Sequence, residues 1–401
     1  MRPFTHTISL ADALAMVRDA AMPVGGTEVV AVAEAAWRVA SRDVVAAVDV
    51  PPFDRAAMDG YAVRAADTAA AAHDTPAALT RIGVVYSGEW WRGEMQAGEC
   101  VEIATGAPVP PGADAVVMVE QTRAAGGRVE VLAPVRPGQH VGPRGSDIAA
   151  GQAALRAGDQ LTPARLGAMA AVGVTGVEVY RQPRVFIAST GNELVQPGAR
   201  LVAGRIFDVN TVTLPPIVSL HGGVPVVHAP VGDTLDDLRA ALDAGREADL
   251  VVMSGGSSVG ERDLLVDAAS ERGEILFHGI AVKPGKPTLF ARLGRQLLLG
   301  LPGNPTSCLS NAYLLLVPLL RATARLPPHV PETRRVRLAR AIASPSDRHQ
   351  FFTVRIEEGQ ALPAFKGSGD VTSMAGADGY IEIPAGVARI EAGTEVEVTL
   401  F

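Results

Sequence analysis

Residues 233–278 read DTLDDLRAALDAGREADLVVMSGGSSVGERDLLVDAASERGEILFH, and they decide the fold class. Amphipathic helical patterns here alternate with short apolar runs that stop at glycine. The same alternation extends upstream through RVFIAST, TVTLPPIVSLHGG and VPVVHAPV, and downstream through QLLLGLPG and TSCLSNAYLLLVPLLRAT. Apolar strands interleaved with amphipathic helices predict a parallel α/β sheet with helices on both faces. The pattern ends at the proline-rich LPPHVPE, and from about residue 328 the chain returns to strands, which predicts a second, smaller β domain. Before residue 180 the style differs again. Short runs such as RIGVVYSGE, ECVEIATGA and DAVVMVEQT, separated by Pro/Gly turns, predict a β-rich domain. It is bracketed by a helix after Ser9 and another in TPARLGAMAAVGV, capped by Thr162 with Pro163 at its first position.

Lysine is scarce. Of 36 basic residues only Lys283, Lys286 and Lys366 are lysines, and two of them share AVKPGKPT. A compact ammonium with three donors suits the crowded oxygens of a phosphate or another tetrahedral oxyanion. The tight Pro/Gly setting therefore points to anion handling. A net charge of −7 and a pI near 5.7 argue against nucleic-acid or anionic-membrane partners. No stretch approaches the ~20 apolar residues of a membrane span. The two cysteines, Cys100 and Cys308, form neither a disulfide framework nor a metal pattern, which fits a reducing cytoplasm. The N-terminus does not read as a signal peptide.

In an open α/β sheet, ligands bind beyond the carboxyl ends of the strands. Four loops have that position: STGNEL at residues 189–194, SGGSSVGERD at 254–263, KPGKP at 283–287 and LPGNPTS at 301–307. Their backbone donors and two ammonium groups would make a polyanion cradle. Glu193, Asp233 and Asp263 stand at or near these loops, and acids beside phosphate-binding lysines commonly hold a divalent cation. Each has a plainer reading: Asp233 as a helix N-cap, Asp263 as a first-turn acid favoured by the helix dipole, Glu193 as a brace for its own loop. In the β-rich domain, PPFDRAAMDGYAV sets Asp54 and Asp59 about a turn, and Thr105 follows the strand VEIA.

Taken in order, PxxDxxAMDGYA at residues 51–62, TGAxxPxGADxVV at 105–117, STGxEL at 189–194, GGxSxGxxD at 255–263, KPGKP, LPGNPxS, and the later SGxxTSM and AxGYIEIP give the chain a close likeness to one family. It resembles the MoeA family of molybdopterin molybdenumtransferases, to which the gephyrin E domain belongs, over essentially its whole length. The resemblance implies an elongated, multidomain α/β plus β fold. Its parts would be an N-terminal helix (1–24) packed on the α/β domain, a linking domain (25–44 and 145–180), an inserted β-rich domain (45–144), a MogA-like α/β sandwich (181–326) and a C-terminal β-barrel (327–401). It also implies a homodimer with the active site across the interface, adenylylated molybdopterin and molybdate as substrates, Mg²⁺ as cofactor, release of AMP, and other molybdenum cofactor synthesis proteins as partners.

Carried over motif by motif, Lys283, Lys286 and Ser307 would hold molybdate or adjacent phosphates. Asp59, Glu193, Asp233 and Asp263 would position the metal and the pyrophosphate-like linkage. Thr105, Gly255, Gly256, Ser258, Gly303, Asn304 and Ser368 would complete substrate binding, together with Arg348 or Arg355. The chain departs from the family pattern at Asn192, Ser146 and Thr353. Two alternatives remain at this point: a MogA-like adenylyltransferase, disfavoured by SGGSSVG in place of a GGTG loop, and a gephyrin-like scaffold or paralogue with weakened catalysis.

Overall fold

A computed structural model describes residues 7–256, 263–345 and 347–401. The chain divides into two compact units, one formed by residues 1–28 with 180–401 and the other by residues 29–179.

The first helix, α1 (Leu10–Ala20), starts where predicted, with Ser9 Oγ accepting from the Asp12 amide. In the 29–179 unit, six strands form one sheet: β1 (Gly60–Val63), β2 (Ala77–Val85), β3 (Glu99–Ile103), β4 (Ala115–Met118), β5 (Thr122–Ala125) and β6 (Arg128–Val131), in the order β4-β1-β3-β2-β6-β5. Its strands alternate between two small cores. Tyr61, Val63, Cys100 and Val117 face one, while Ala62, Val101, Ile103 and Val116 face the other. The glycine of AMDGYA is sterically required, because a Cβ at Gly60 would collide with the Val117 carbonyl on β4. Helix α2 (Pro163–Ala171) is capped by the Thr162 hydroxyl.

The larger unit carries the α/β alternation. Its chain order is β7 (Arg184–Ser189), α3 (Asn210–Leu220), β8 (Val224–Val227), α4 (Leu235–Ala244), β9 (Leu250–Ser254), α5 (Leu264–Ser270), β10 (Glu274–His278), β11 (Val282–Lys283), β12 (Leu289–Leu293), β13 (Gln296–Leu301), α6 (Pro305–Asn311) and α7 (Val317–Thr323). The sheet order is β8-β7-β9-β13-β12-β10. Five strands run in one direction as the sequence predicts, whereas β12 is antiparallel to both neighbours. The reason is local: Gly294, at φ +64°, opens the two-residue turn that folds β12 back onto β13.

Both faces of this sheet are covered, which is why its strands read as continuous apolar runs. Val185, Ile187, Leu250 and Val252 face a core with α1, α3, α6 and α7. Their neighbours Phe186, Ala188, Val251 and Met253 face a second core with α4 and α5.

The C-terminal segment closes a barrel of five strands: β14 (Thr333–Leu338), β15 (His349–Glu357), β16 (Gln360–Pro363), β17 (Gly379–Ile383) and β18 (Glu395–Leu400). They are hydrogen-bonded in the cycle β15-β16-β14-β18-β17-β15. Strand β11 adds to the barrel's β15 through Val282↔His349 and Lys283↔Gln350. The lysine loop of the α/β sheet is thereby tied to the barrel. No helix among the described residues is long and apolar enough to cross a membrane.

Candidate active site

The carboxyl ends of β7, β9 and β13 lie side by side, and the loops that leave them are held to one another. Thr190 N donates to Ser254 O at 2.8 Å, and Gly255 N to Leu301 O at 3.0 Å. Gly255 has φ +89°, and a Cβ there would lie 2.5 Å from the Thr190 carbonyl, so the glycine permits the approach of two loops. Beneath them sits a buried polar cluster. Ser189 Oγ donates to Asp208 Oδ1 at 2.8 Å, Thr211 Oγ1 donates to Asp208 Oδ2 at 2.7 Å, and the amides of Asn210 and Thr211 also donate to Asp208 Oδ1. Asn210 Nδ2 then reaches Gly303 O at 2.8 Å and Ser254 Oγ at 3.2 Å, which joins the start of α3 to the LPGNP turn.

The KPGKP loop is fixed from behind by α6. Asn311, fully buried, donates from Nδ2 to Gly285 O at 2.8 Å and to Thr288 Oγ1 at 2.6 Å. From the barrel side, the loop after β16 docks on LPGNP. Asn304 Nδ2 donates to Ser368 Oγ at 3.1 Å, Thr306 N to Ser368 O at 3.1 Å, and Thr306 Oγ1 to Asp370 O at 2.9 Å.

These loops enclose a cleft of about 1150 Å³, and all three lysines of the chain line it. Arg348 joins them, so four cationic side chains meet in one cavity. Lys366 is oriented by Nζ donating to Thr372 Oγ1 at 3.0 Å. Asp347, beside Arg348 and close to Lys286, has its carboxyl held below the usual range, first by its hydrogen bond from Arg348. Glu193, Asp208 and Asp233 line the cleft as its acids, and Asp233 Oδ2 accepts from the Asn192 amide at 2.8 Å. Gly255, Gly256, Gly303, Asn304, Ser307 and Ser368 line it as well.

The remaining residues singled out in the sequence fall elsewhere. Arg355 pairs with Glu357 at 2.7 Å and is not a lining residue. Asp263 caps α5, accepting from Val266 N at 3.2 Å, and its other oxygen lies 2.9 Å from His278 Nε2. Asp233 is not the cap of α4, since Thr234 takes that place. Ser258 lies outside the described residues. Asp59 and Thr105 belong to the 29–179 unit, where Thr105 N and Oγ1 donate to Asp59 Oδ1 at 2.7 and 2.9 Å. The Thr105 amide, then its hydroxyl, hold the Asp59 carboxyl below its ordinary value. Thr353 is fully buried in β15, so this departure lies in the barrel wall and is not a lining position.

Sequence reasoning missed Asp208, Asn210 and Asn311. It also missed two buried acceptors at the cleft, Thr190 Oγ1 and Asn210 Oδ1, which have no hydrogen-bond partner among the described residues. Such orphans in a cleft wall are places where a ligand can donate. Among the described residues no three His, Cys, Asp or Glu side chains cluster as a metal cage, and Cys100 and Cys308 are buried free thiols.

Comparison with known proteins fits this geometry. Residues 8–173 match the MoeA N-terminal region (domain I and II), residues 186–322 a probable molybdopterin binding domain, and residues 335–401 the MoeA C-terminal region (domain IV). The chain is 35% identical over 366 residues to molybdopterin molybdenumtransferase 2 of Mycobacterium tuberculosis, covering 89% of this chain and 90% of the relative. It is 33% identical over 385 residues to the molybdopterin molybdenumtransferase of Haemophilus influenzae, covering 94% of each. A crystal structure of a molybdopterin biosynthesis MoeA protein from Pyrococcus horikoshii superposes with a TM-score of 0.84 at 39% identity, covering 98% of this chain and 99% of that one. With a lysine-lined cleft between an α/β sheet and a five-stranded barrel, and matches along nearly its whole length, the chain belongs to the MoeA family.

Proposed function

We propose that the chain inserts molybdate into adenylylated molybdopterin, releasing AMP and forming molybdenum cofactor. The observation that carries this reading is the convergence of Lys283, Lys286, Lys366 and Arg348 on one cleft that also holds Glu193 and Asp233. Molybdate is a dianion and the adenylylated substrate is itself anionic, so bringing them together builds up negative charge. Preorganised ammonium and guanidinium groups offset that charge without reorganising.

In this account Lys283, Lys286 and Ser307 hold the oxyanion, and Arg348 and Ser368 close the site from the barrel side. The orphaned Thr190 and Asn210 oxygens accept from donor groups of the substrate. The pyrophosphate-like linkage is cleaved, AMP departs, the dithiolene sulfurs become metal ligands, and an oxygen of molybdate leaves as water or with the phosphoryl group. The acids fit a Mg²⁺ ion of the kind held by one or two carboxylates plus substrate oxygens, with Glu193 and Asp233 as its protein ligands. Bound there, it would neutralise the linkage oxygens during cleavage. Asp263 caps α5 and lies beside His278. The proposal includes a homodimer in which the Asp59 turn is contributed across the subunit interface, and a cytoplasmic setting with other cofactor-synthesis proteins as partners.

The test supplies purified protein with adenylylated molybdopterin, Mg²⁺ and molybdate. Molybdate-dependent AMP release supports the reading. Formation of adenylylated product from molybdopterin and ATP would instead assign an adenylyltransferase, and inactivity in both assays would leave a scaffold.

A further inference from the structure

The 29–179 unit carries an aromatic pair that the proposed reaction does not yet use. The chain is only 4% aromatic and has three tryptophans, yet two of them, Trp90 and Trp91, are adjacent. They do different things. Trp91 packs against β2, where a Cβ at Gly83 would lie 2.5 Å from its ring, and so anchors the segment. Trp90 is 61% exposed and meets Phe53 edge to face, with ring centroids 6.1 Å apart at 78°. That geometry leaves an indole surface in water that no element of the unit covers.

The segment before Trp90 is tied to the Asp59 turn. Glu89 N donates to Tyr86 O at 3.0 Å, and Tyr86 N donates back to Glu89 Oε2 at 3.1 Å, which closes the turn. Between them Ser87 Oγ donates to Thr105 O at 2.8 Å, and Thr105 is the residue that holds Asp59 through both its amide and its hydroxyl. Phe53 belongs to the same PPFDRAAMDG stretch as Asp59. The aromatic pair and the carboxylate are thus positioned by one hydrogen-bonded frame.

We propose that the Trp90–Phe53 pair is a stacking platform for a planar fused nitrogen heterocycle, purine or pterin, of the substrate that the Asp59 turn meets. This rests on the function proposed above, whose substrate carries one such ring on each side of its pyrophosphate-like linkage. An open indole face attracts a flat π system irrespective of its hydrogen-bonding pattern, and an uncharged ring tolerates the anionic Asp59 beside it.

Two measurements test this on the full-length protein. In the AMP-release assay, Trp90→Ala and Phe53→Ala are expected to raise KM for adenylylated molybdopterin about tenfold, with kcat retained and partial rescue by Trp90→Phe. In the second, tryptophan fluorescence is titrated with AMP and, separately, with neopterin. Quenching by either that disappears in Trp90→Phe but persists in Trp37→Phe supports the platform, and the effective probe says which ring it takes. Wild-type KM in both alanine variants, or no quenching by either probe, overturns it. A changed sedimentation coefficient in Trp90→Ala with KM unaltered also overturns it, in favour of a protein interface. If the wild type releases no AMP, the reaction reading fails, and the fluorescence titrations alone decide the platform.

Discussion

Asn311, fully buried on α6, donates its Nδ2 hydrogen bonds to the Gly285 carbonyl and the Thr288 hydroxyl, and so fixes the turn between the two clustered lysines from inside the core. Replacing it with leucine keeps the volume but removes both bonds, and leaves the Gly285 carbonyl with the Thr288 hydroxyl as its side-chain donor. The cost is about 1 kcal/mol for each lost hydrogen bond. Asn311→Leu is therefore expected to lower the urea midpoint with an unchanged m-value, and to raise KM for molybdate because Lys283 and Lys286 lose their common support. A variant with wild-type stability and KM would remove Asn311 from this role.

Gly255 permits the close passage of the loops after β7 and β9. An alanine there would take φ +89° and set its Cβ against the Thr190 carbonyl, a backbone atom that cannot swing aside. Gly255→Ala is expected to lose roughly 1–3 kcal/mol of stability and most activity, read by thermal unfolding and the AMP assay. Gly126, also at positive φ but with open space about it, serves as the comparison: Gly126→Ala should leave activity unchanged.

The two arginines left open by the sequence are separated by the structure. Arg348 lines the cleft, whereas Arg355 pairs with Glu357 away from it. Arg348→Ala is expected to raise KM for molybdate about 10- to 100-fold, the worth of a hydrogen bond to a charged group. Arg355→Ala should leave it unaltered. Equal effects in steady-state kinetics would refute the assignment.

His221 gives the fold a pH dependence. Its ring is 3% exposed at the end of α3, edge-on to His329 at 4.9 Å and near Arg321, and burial, then these two neighbours, depress its pKa to about 4. Between pH 6.5 and about 4 the unfolded chain holds the proton that the folded chain refuses. Stability is accordingly full above pH 6.5 and falls as pH drops toward 4, by roughly 3 kcal/mol in all. Burial and Arg321 lower His329 as well, which adds in the same direction. Urea unfolding from pH 4 to 7.5 should show this slope, and His221→Gln should flatten it.

What the sequence revealed and what it hid divide along physical lines. The lysine cleft was legible because lysine is scarce here and KPGKP is a tight loop after an apolar strand. The covered sheet was legible because both its faces are apolar. Asp208, Asn210 and Asn311 were not, because a polar residue bonded inside a core looks in sequence like one facing water, and only the fold brings their partners, 19 to 93 residues away, within reach. Helix α3 contains Pro215 and Pro216, which on local grounds argue against a helix. It forms because Asp208 accepts from its first amides and its apolar side packs on the sheet. Arg348 and Arg355 could not be told apart because residues 350–354 are all buried, so β15 offers no alternation from which to read a face.

The account stands most directly on AMP release from adenylylated molybdopterin, followed against molybdate concentration for the wild type and the Lys283→Ala/Lys286→Ala double variant. The predicted result is saturable, molybdate-dependent release in the wild type and none above background in the variant, with the variant's thermal unfolding unchanged. A folded double variant that turns over at the wild-type rate, or a wild type whose release ignores molybdate, would contradict the central claim.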